Sequence, residues 1–152
     1  MPLNIKDLTI SSPDIGPDEG LNDRHAKKHD NSPPRLRISG VPEGTIELAI
    51  ICHDPDAPLP HGFTHWALFG IPADVTEIGP DADSLYRTGR NGFGEPGYGG
   101  PQPPAGHGPH RYYFWVYALD REVEGTPTRE DFLDRYGDAV IEQNRVVGVY
   151  ES

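Results

Sequence analysis

Alternating apolar and polar positions, typical of β-strands, dominate the sequence. Residues 3–10 alternate like an edge strand, and residues 36–39 predict another short strand. Both faces of residues 45–53 become apolar toward the end of the segment, which predicts a central strand. Residues 111–119 are almost continuously aromatic or apolar and predict a strand buried on both faces. The remaining predicted strands are residues 65–71, 75–78 and 145–150.

One helix is predicted near the carboxyl end of the chain. Thr128 can cap it, and Asp131 follows three residues later in a weaker form of the capping box. Apolar residues then recur every four positions from Phe132 to Val140, and the helix is predicted to end at Gln143. Many strands and one late helix predict a mostly β protein, an antiparallel β-sandwich with one or two peripheral helices.

The composition supports short strands joined by shaped loops. The chain has 18 glycines and 17 prolines in 152 residues, about twice the usual share. They concentrate in residues 11–34 and 89–108, which predict two long, ordered loops. The length predicts a single domain over residues 1–152.

Charge and hydropathy narrow the class of protein. A net charge of −11 repels nucleic acid, so we expect no nucleic-acid partner. No apolar stretch approaches the ~18 residues that cross a bilayer, and the first ten residues lack the apolar centre of a signal peptide. We therefore expect a soluble, cytoplasmic protein without membrane insertion. Cys52 is predicted to be a buried thiol, and His25 and His29 are predicted to lie on the surface.

Two polar clusters stand where predicted strands meet loops rich in proline and glycine. One is HDPDAP at residues 53–58 with His65 on the next strand, and the other is GYGGP at residues 97–101 with HRY at residues 110–112. Glycine lets backbone N–H groups approach an anion, and histidines donate hydrogen bonds and become cationic near neutral pH. The tyrosine hydroxyl is a further donor. The clusters predict a pocket for a phosphate or carboxylate.

Asp54 is the member of these clusters that repels an anion. We expect it to orient one of the histidines, because a neighbouring carboxylate favours the imidazolium. Affinity for an anion should then weaken as the pH rises through that histidine's pKa.

Other interpretations of the same residues remain open. Turn sequences and histidines at strand ends are often only structural. A metal centre of two histidines and one carboxylate could be drawn from several candidates, although no HExxH spacing supports it. These candidates are His53, Asp54, Asp56, His61, His65 and His110. No Gly-x-Ser-x-Gly motif indicates a serine hydrolase.

Taken in order, the DPDAP, HW, GP and HRY motifs resemble the phosphatidylethanolamine-binding protein family, in its prokaryotic Raf-kinase-inhibitor-like branch. The resemblance spans residues 31–150 and implies two antiparallel sheets with a small anion pocket at one end. It also implies a homodimer and a candidate cis peptide between Ala57 and Pro58. The ligand-binding residues that it implies are Asp54, Asp56, His65, Gly100, Pro101, His110 and Tyr112.

The resulting functional expectation is a binding protein with no catalytic residue, no metal and no cofactor. Its ligand is expected to be a small anion such as phosphate, acetate or phosphoethanolamine, and its function to be regulatory, through that ligand or a phosphorylated partner. One alternative is an inhibitor of a kinase or hydrolase that acts through a loop-mediated protein interface. Another is a phosphoesterase that uses His65 and His110 as acid and base.

Overall fold

The structure has two layers, and each layer is a β-sheet. A computed structural model describes residues 5–16 and 18–151. Within them a three-stranded antiparallel sheet contains, in spatial order, Thr9–Ser11 (β1), Leu36–Ser39 (β2) and Glu77–Ile78 (β5). A five-stranded antiparallel sheet contains, in spatial order, Arg87–Thr88 (β6), Phe63–Pro72 (β4), Glu47–Asp54 (β3), His110–Leu119 (β7) and Val140–Tyr150 (β8). The predicted antiparallel β-sandwich is therefore confirmed.

The main core lies between the two sheets. Leu36 and Ile38 of the small sheet pack in one cluster with Leu48, Trp66 and Phe114 of the large sheet. A second core covers the outer face of the large sheet, where the helix Arg129–Tyr136 (α2) adds its aromatic side chains to those of the strands. All eight residues of β3 are consequently buried, which confirms the prediction of a central strand.

β7 is less buried than its composition predicts. Its last four residues are buried, but Arg111 is exposed and Tyr113 and Trp115 are only half-buried. The prediction of a strand buried on both faces is therefore wrong for its first half. The reason is that α2 packs only on the far end of this face, where Phe132 contacts Tyr117 with ring centroids 5.2 Å apart.

The predicted helix is correct at its start and too long at its end. The Thr128 side chain accepts a hydrogen bond from the Asp131 backbone N–H, as the capping prediction requires. The α-helix ends at Tyr136, a 3-10 turn follows, and Val140 begins β8 by pairing with Leu119. Eleven residues of antiparallel pairing with β7 thus override a short amphipathic repeat.

Short elements and one loop histidine depart from the prediction. The edge strand predicted over residues 3–10 is observed only as β1, which begins at Thr9; residues 5–8 are not in a strand, and residues 3 and 4 lie outside the described residues. A one-turn helix, Ala82–Leu85 (α1), and the short β6 were not predicted. His25 is buried rather than exposed, because the glycine-rich loop packs on it and the Tyr98 hydroxyl donates to the His25 carbonyl over 2.7 Å. The buried His25 ring donates from Nδ1 to the Ser32 carbonyl over 2.8 Å. Burial lowers the pKa of His25.

Ion pairs between Asp14 and two arginines link the early loop, residues 11–34, to the start of β2. Asp14 accepts hydrogen bonds from Arg35 and Arg24, each with an N–O distance of 2.8 Å, and the Arg35 hydrogen bond lowers the pKa of Asp14 to about 2. Because folding lowers the pKa of Asp14, its carboxylate stabilises the folded state at pH values above the usual pKa of 3.8. That stability is lost as the pH falls toward 2.

We therefore expect Asp14→Asn to lower the free energy of unfolding by about 1–2 kcal/mol at pH 7, a figure reduced by the exposure of both arginines. Urea unfolding at pH 7, 4 and 2 measures the difference from wild type. The difference should shrink between pH 4 and pH 2. A constant difference would show that Asp14 acts through something other than its charge.

Candidate functional site

A cavity with largely apolar walls opens at one edge of the five-stranded sheet. β3 ends there, and β4 and β7 begin there, since His53 pairs with both Thr64 and Tyr113. The cavity has a volume of about 230 Å³. Its lining residues are Asp54, Ala57, Pro58, Leu59, Phe63, His65, Phe93, Gln102, Pro103, Pro104, His110 and Tyr112.

Asp54 and His110 form a buried pair in the wall of this cavity. The His110 Nδ1 donates a hydrogen bond to the Asp54 Oδ2 over 2.7 Å, and both side chains are at most 5% exposed. The other carboxylate oxygen accepts the backbone N–H of Asp56 over 2.7 Å. The structure thus identifies His110 as the histidine that Asp54 orients, which the sequence left open.

His65 lies in the same cavity but in a different chemical state from the one predicted. Its Nδ1 donates a hydrogen bond to the Gly99 carbonyl over 2.6 Å, and the Phe63 and Phe93 rings lie against it. Burial lowers the pKa of His65 to about 4. At neutral pH the ring is therefore uncharged, so the expectation that His65 becomes cationic near neutral pH is wrong.

The Tyr112 ring packs against the imidazole rings of both His65 and His110. Its ring centroid lies 5.1 Å from that of His65 and 6.4 Å from that of His110. Burial raises the pKa of Tyr112, so the hydroxyl keeps its proton at physiological pH. In the part of the chain that the structure describes, this hydroxyl makes no hydrogen bond and yet is not shut off from solvent. It is therefore free to donate to a ligand.

Three predicted ligand-binding residues lie outside the cavity wall. Asp56 instead accepts the Arg111 backbone N–H, and the Pro101 carbonyl accepts the Lys27 backbone N–H. The Gly100 N–H is already bonded to the Asn31 side chain over 2.6 Å and is not available as an anion donor. Close packing beside the early loop, rather than ligand contact, requires glycine at position 100.

The turn that forms the cavity floor has no cis peptide bond. The candidate cis bond between Ala57 and Pro58 is trans, which corrects the expectation. The chain reverses instead through hydrogen bonds from the Leu59 N–H to the Ala57 carbonyl and from the Gly62 N–H to the Leu59 carbonyl. Gly62 has a φ of +69°, and a Cβ there would lie 2.5 Å from the Asp54 carbonyl oxygen.

An apolar wall faces the histidines, and it was not predicted. Phe63 stacks edge-on with Phe93 at a centroid distance of 4.7 Å, and Leu59, Pro103 and Pro104 complete this side of the cavity. Strand periodicity could have identified Phe63, because residues two apart on a strand share a face and His65 was already a candidate. Phe93 comes from the glycine-rich loop, where no periodic pattern indicates which side chain turns inward.

Side-chain acceptors fix the glycine-rich loop over the site. The buried Asn91 donates to the Gly97 carbonyl and accepts the backbone N–H of Phe93, each over 2.9 Å. Asp83 accepts both the Trp66 indole N–H and the Tyr98 backbone N–H. Hydrogen bonds within the protein therefore hold this loop in place, which reduces the entropy lost on binding.

The described residues contain no group of three or more histidine, cysteine or acidic side chains placed to hold a metal ion. The two-histidine, one-carboxylate centre left open by the sequence is not assembled among them. In the same part of the chain, no helix has both the length and the apolar character needed to span a bilayer.

Comparisons with known proteins find similar sequences that align with nearly the whole chain. The family model described as phosphatidylethanolamine-binding protein matches residues 11–151. A UPF0098 protein of Pyrococcus abyssi is 39% identical over 146 residues, covering 90% of this chain and 82% of the relative. A UPF0098 protein of Aquifex aeolicus is 39% identical over 126 residues, covering 78% of this chain and 73% of the relative.

Two solved structures share the fold. The crystal structure of Escherichia coli YbcL, described as a new member of the mammalian PEBP family, has a TM-score of 0.88 at 34% identity and covers 97% of this chain and 99% of its own. A putative phosphatidylethanolamine-binding protein homologue of Chlamydia trachomatis has a TM-score of 0.87 at 27% identity, covering 95% and 97%. Both neighbours therefore share the fold along nearly the whole chain.

Proposed function

Because the chain belongs to the phosphatidylethanolamine-binding protein family, we propose that its cavity binds the anionic head group of a small ligand and that the protein acts by binding rather than by covalent catalysis. The supporting observation is the convergence of His110, Tyr112 and His65 on one preformed cavity. The ligand class is that of phosphate, carboxylate or phosphoethanolamine-like groups. A regulatory response follows if ligand occupancy changes how the loops around the cavity meet a partner.

The polar end of the cavity supplies the anion's hydrogen bonds. Asp54 accepts from the Nδ1 of His110, so the opposite ring nitrogen is left to a ligand and donates to it when the imidazole is protonated. The Tyr112 hydroxyl is the second donor. No lysine or arginine is among the lining residues, so binding depends on these oriented hydrogen bonds rather than on a concentrated positive charge.

The apolar wall indicates what else the ligand carries. A volume of about 230 Å³ exceeds that of a single small anion, which occupies about as much space as a few waters at ~30 Å³ each. Phe63 and Phe93 line the space beside the histidines, and Leu59 is 53% exposed at the rim. We therefore favour ligands that join an anionic group to a compact apolar one, such as an aryl or short alkyl phosphate.

Amide NMR during titration with phenyl phosphate tests this proposal. We expect shifts at His65, Gly99, His110 and Tyr112. Loss of one hydrogen bond to a charged ligand costs about 1.5–3 kcal/mol, so Tyr112→Phe should weaken binding about tenfold or more. The matched control is Tyr113→Phe, because Tyr113 lies on the opposite face of the same strand.

Two outcomes would contradict the proposal. One is a titration whose shifts avoid the cavity, and the other is equal weakening by Tyr112→Phe and Tyr113→Phe. Hydrolysis of phenyl phosphate during the titration, lost in His110→Ala, would favour the phosphoesterase instead.

A further inference from the structure

We propose that the cavity accepts its anion with a proton still attached, as a hydrogen phosphate or a phosphate monoester monoanion, because His65 presents a hydrogen-bond acceptor to the ligand. This inference rests on the proposed function and adds the protonation state of the ligand to it. It makes His65 a specificity-determining residue that separates protonated oxyanions from oxyanions of the same shape that carry no proton.

The first step is the tautomer of His65. A backbone carbonyl can only accept a hydrogen bond, and the His65 Nδ1 lies 2.6 Å from the Gly99 carbonyl oxygen. The ring proton therefore resides on Nδ1. In an uncharged imidazole the second nitrogen, Nε2, then carries a lone pair and accepts.

The second step is where that lone pair points. Among the described residues, every buried side-chain nitrogen or oxygen has a hydrogen-bond partner. Within the part of the chain that the structure describes, no side chain or backbone group is hydrogen-bonded to the His65 Nε2, so this atom is not among the buried ones. Since the residue as a whole is only 4% exposed and lines the cavity, the cavity is where Nε2 is accessible.

The third step is why the ring stays uncharged. The titratable groups around His65 are His53 and Asp54 from β3 and His110 and Tyr112 from β7, while the glycine-rich loop contributes Gly99 and the Phe93 ring. The only carboxylate of the cavity wall, Asp54, is occupied by His110. Burial is the main cause that lowers the pKa of His65; the backbone carbonyls of Gly99 and Gly100 oppose it, and the imidazoles of His53 and His110 lower the pKa further.

The resulting set of atoms matches a protonated oxyanion. A P–OH group can donate to the His65 Nε2, while its unprotonated oxygens accept from the Tyr112 hydroxyl and from the Nε2–H of a protonated His110, whose Nδ1–H is held by Asp54. An oxyanion without a proton would direct an oxygen lone pair at the Nε2 lone pair. Leaving the His65 Nε2 without a hydrogen-bond donor costs about 1–3 kcal/mol, or about 5- to 150-fold in affinity.

A pair of isosteric ligands tests the inference. Phenyl phosphate at pH 5.5 is mainly a monoanion with one P–OH, since the second pKa of a phosphate monoester is about 6. Phenyl sulfate is also a monoanion but carries no proton. Calorimetry at pH 5.5 should show phenyl phosphate binding at least about tenfold more tightly than phenyl sulfate, and the ratio should shrink by pH 8.

The comparison contains its own control. At pH 5.5 both ligands are monoanions and meet the same protein, so the ratio of their affinities at that pH isolates the proton on the ligand. Equal affinities at pH 5.5 would overturn the inference and leave the proposed function intact, whereas no binding of either ligand would overturn the proposed function. Nitrogen-15 NMR of the His65 ring supplies a second readout, because a proton found on Nε2 in the free protein would also overturn the inference.

Discussion

Replacing Gly100 with alanine is expected to lower the free energy of unfolding by about 3 kcal/mol, the upper end of the usual range for overpacking. A Cβ at this buried position would lie 2.0 Å from the backbone carbonyl oxygen of His25 and 3.1 Å from the Asn31 side chain. The first contact is with backbone, so no side-chain rotation relieves it. In a domain of this size the melting temperature should fall by about 6–12 °C.

The clash also acts on the candidate site. The Gly100 N–H is bonded to Asn31, and the neighbouring Gly99 carbonyl holds the His65 ring. Moving this backbone to relieve the clash turns His65 out of position, so Gly100→Ala should also weaken phenyl phosphate binding. Thermal unfolding and calorimetry of the same variant measure both effects.

Gly108→Ala is the matched control in the same loop. Gly108 has a φ of +79°, and a Cβ there would meet no atom within 4 Å. It therefore carries only the conformational penalty of a left-handed residue, about 1–2 kcal/mol. Equal destabilisation by the two variants would contradict the clash with the early loop, because Gly100 does not share the positive φ of Gly108.

Local patterns predicted the fold where burial alone decides the structure. The alternation in residues 36–39 and the apolar run in residues 45–53 gave the correct strands, because neither segment had a competing signal. Val140 was assigned to the wrong element because its helical spacing from Phe132 and Tyr136 is real, while its pairing with Leu119 is a contact between residues far apart in the sequence. The burial of His25 has the same cause, since a distant loop covers it.

The sequence predicted which motifs meet but not what each residue does there. Asp54, His65, His110 and Tyr112 line one cavity because β3, β4 and β7 are adjacent, and that adjacency follows from the family whose motifs the chain carries. The charge of His65 depends on its burial among aromatic rings, which motif spacing does not encode. Anion binding, the homodimer and the cytoplasmic location stay predictions.

Replacing Asp54 with alanine is expected to lower both stability and affinity. The side chain is buried and accepts hydrogen bonds from the His110 Nδ1 and the Asp56 backbone N–H, each over 2.7 Å. Its removal leaves the His110 Nδ1 without a partner inside the protein, at a cost of about 3 kcal/mol in the free energy of unfolding. The His110 ring is then free to rotate, so phenyl phosphate affinity should fall about tenfold or more. Urea unfolding and calorimetry measure the two losses.

Asp56→Ala is the matched control, because Asp56 differs from Asp54 in position rather than in chemistry. Asp56 is exposed, lies outside the cavity wall and accepts only the Arg111 backbone N–H. We expect it to cost less than about 1 kcal/mol of stability and to leave phenyl phosphate affinity unchanged. If Asp54→Ala is too unstable to assay, Asp54→Asn keeps one acceptor oxygen and serves for calorimetry. Equal weakening of binding by the two alanine variants would place Asp56 in the ligand's path and contradict the orienting function assigned to Asp54 alone.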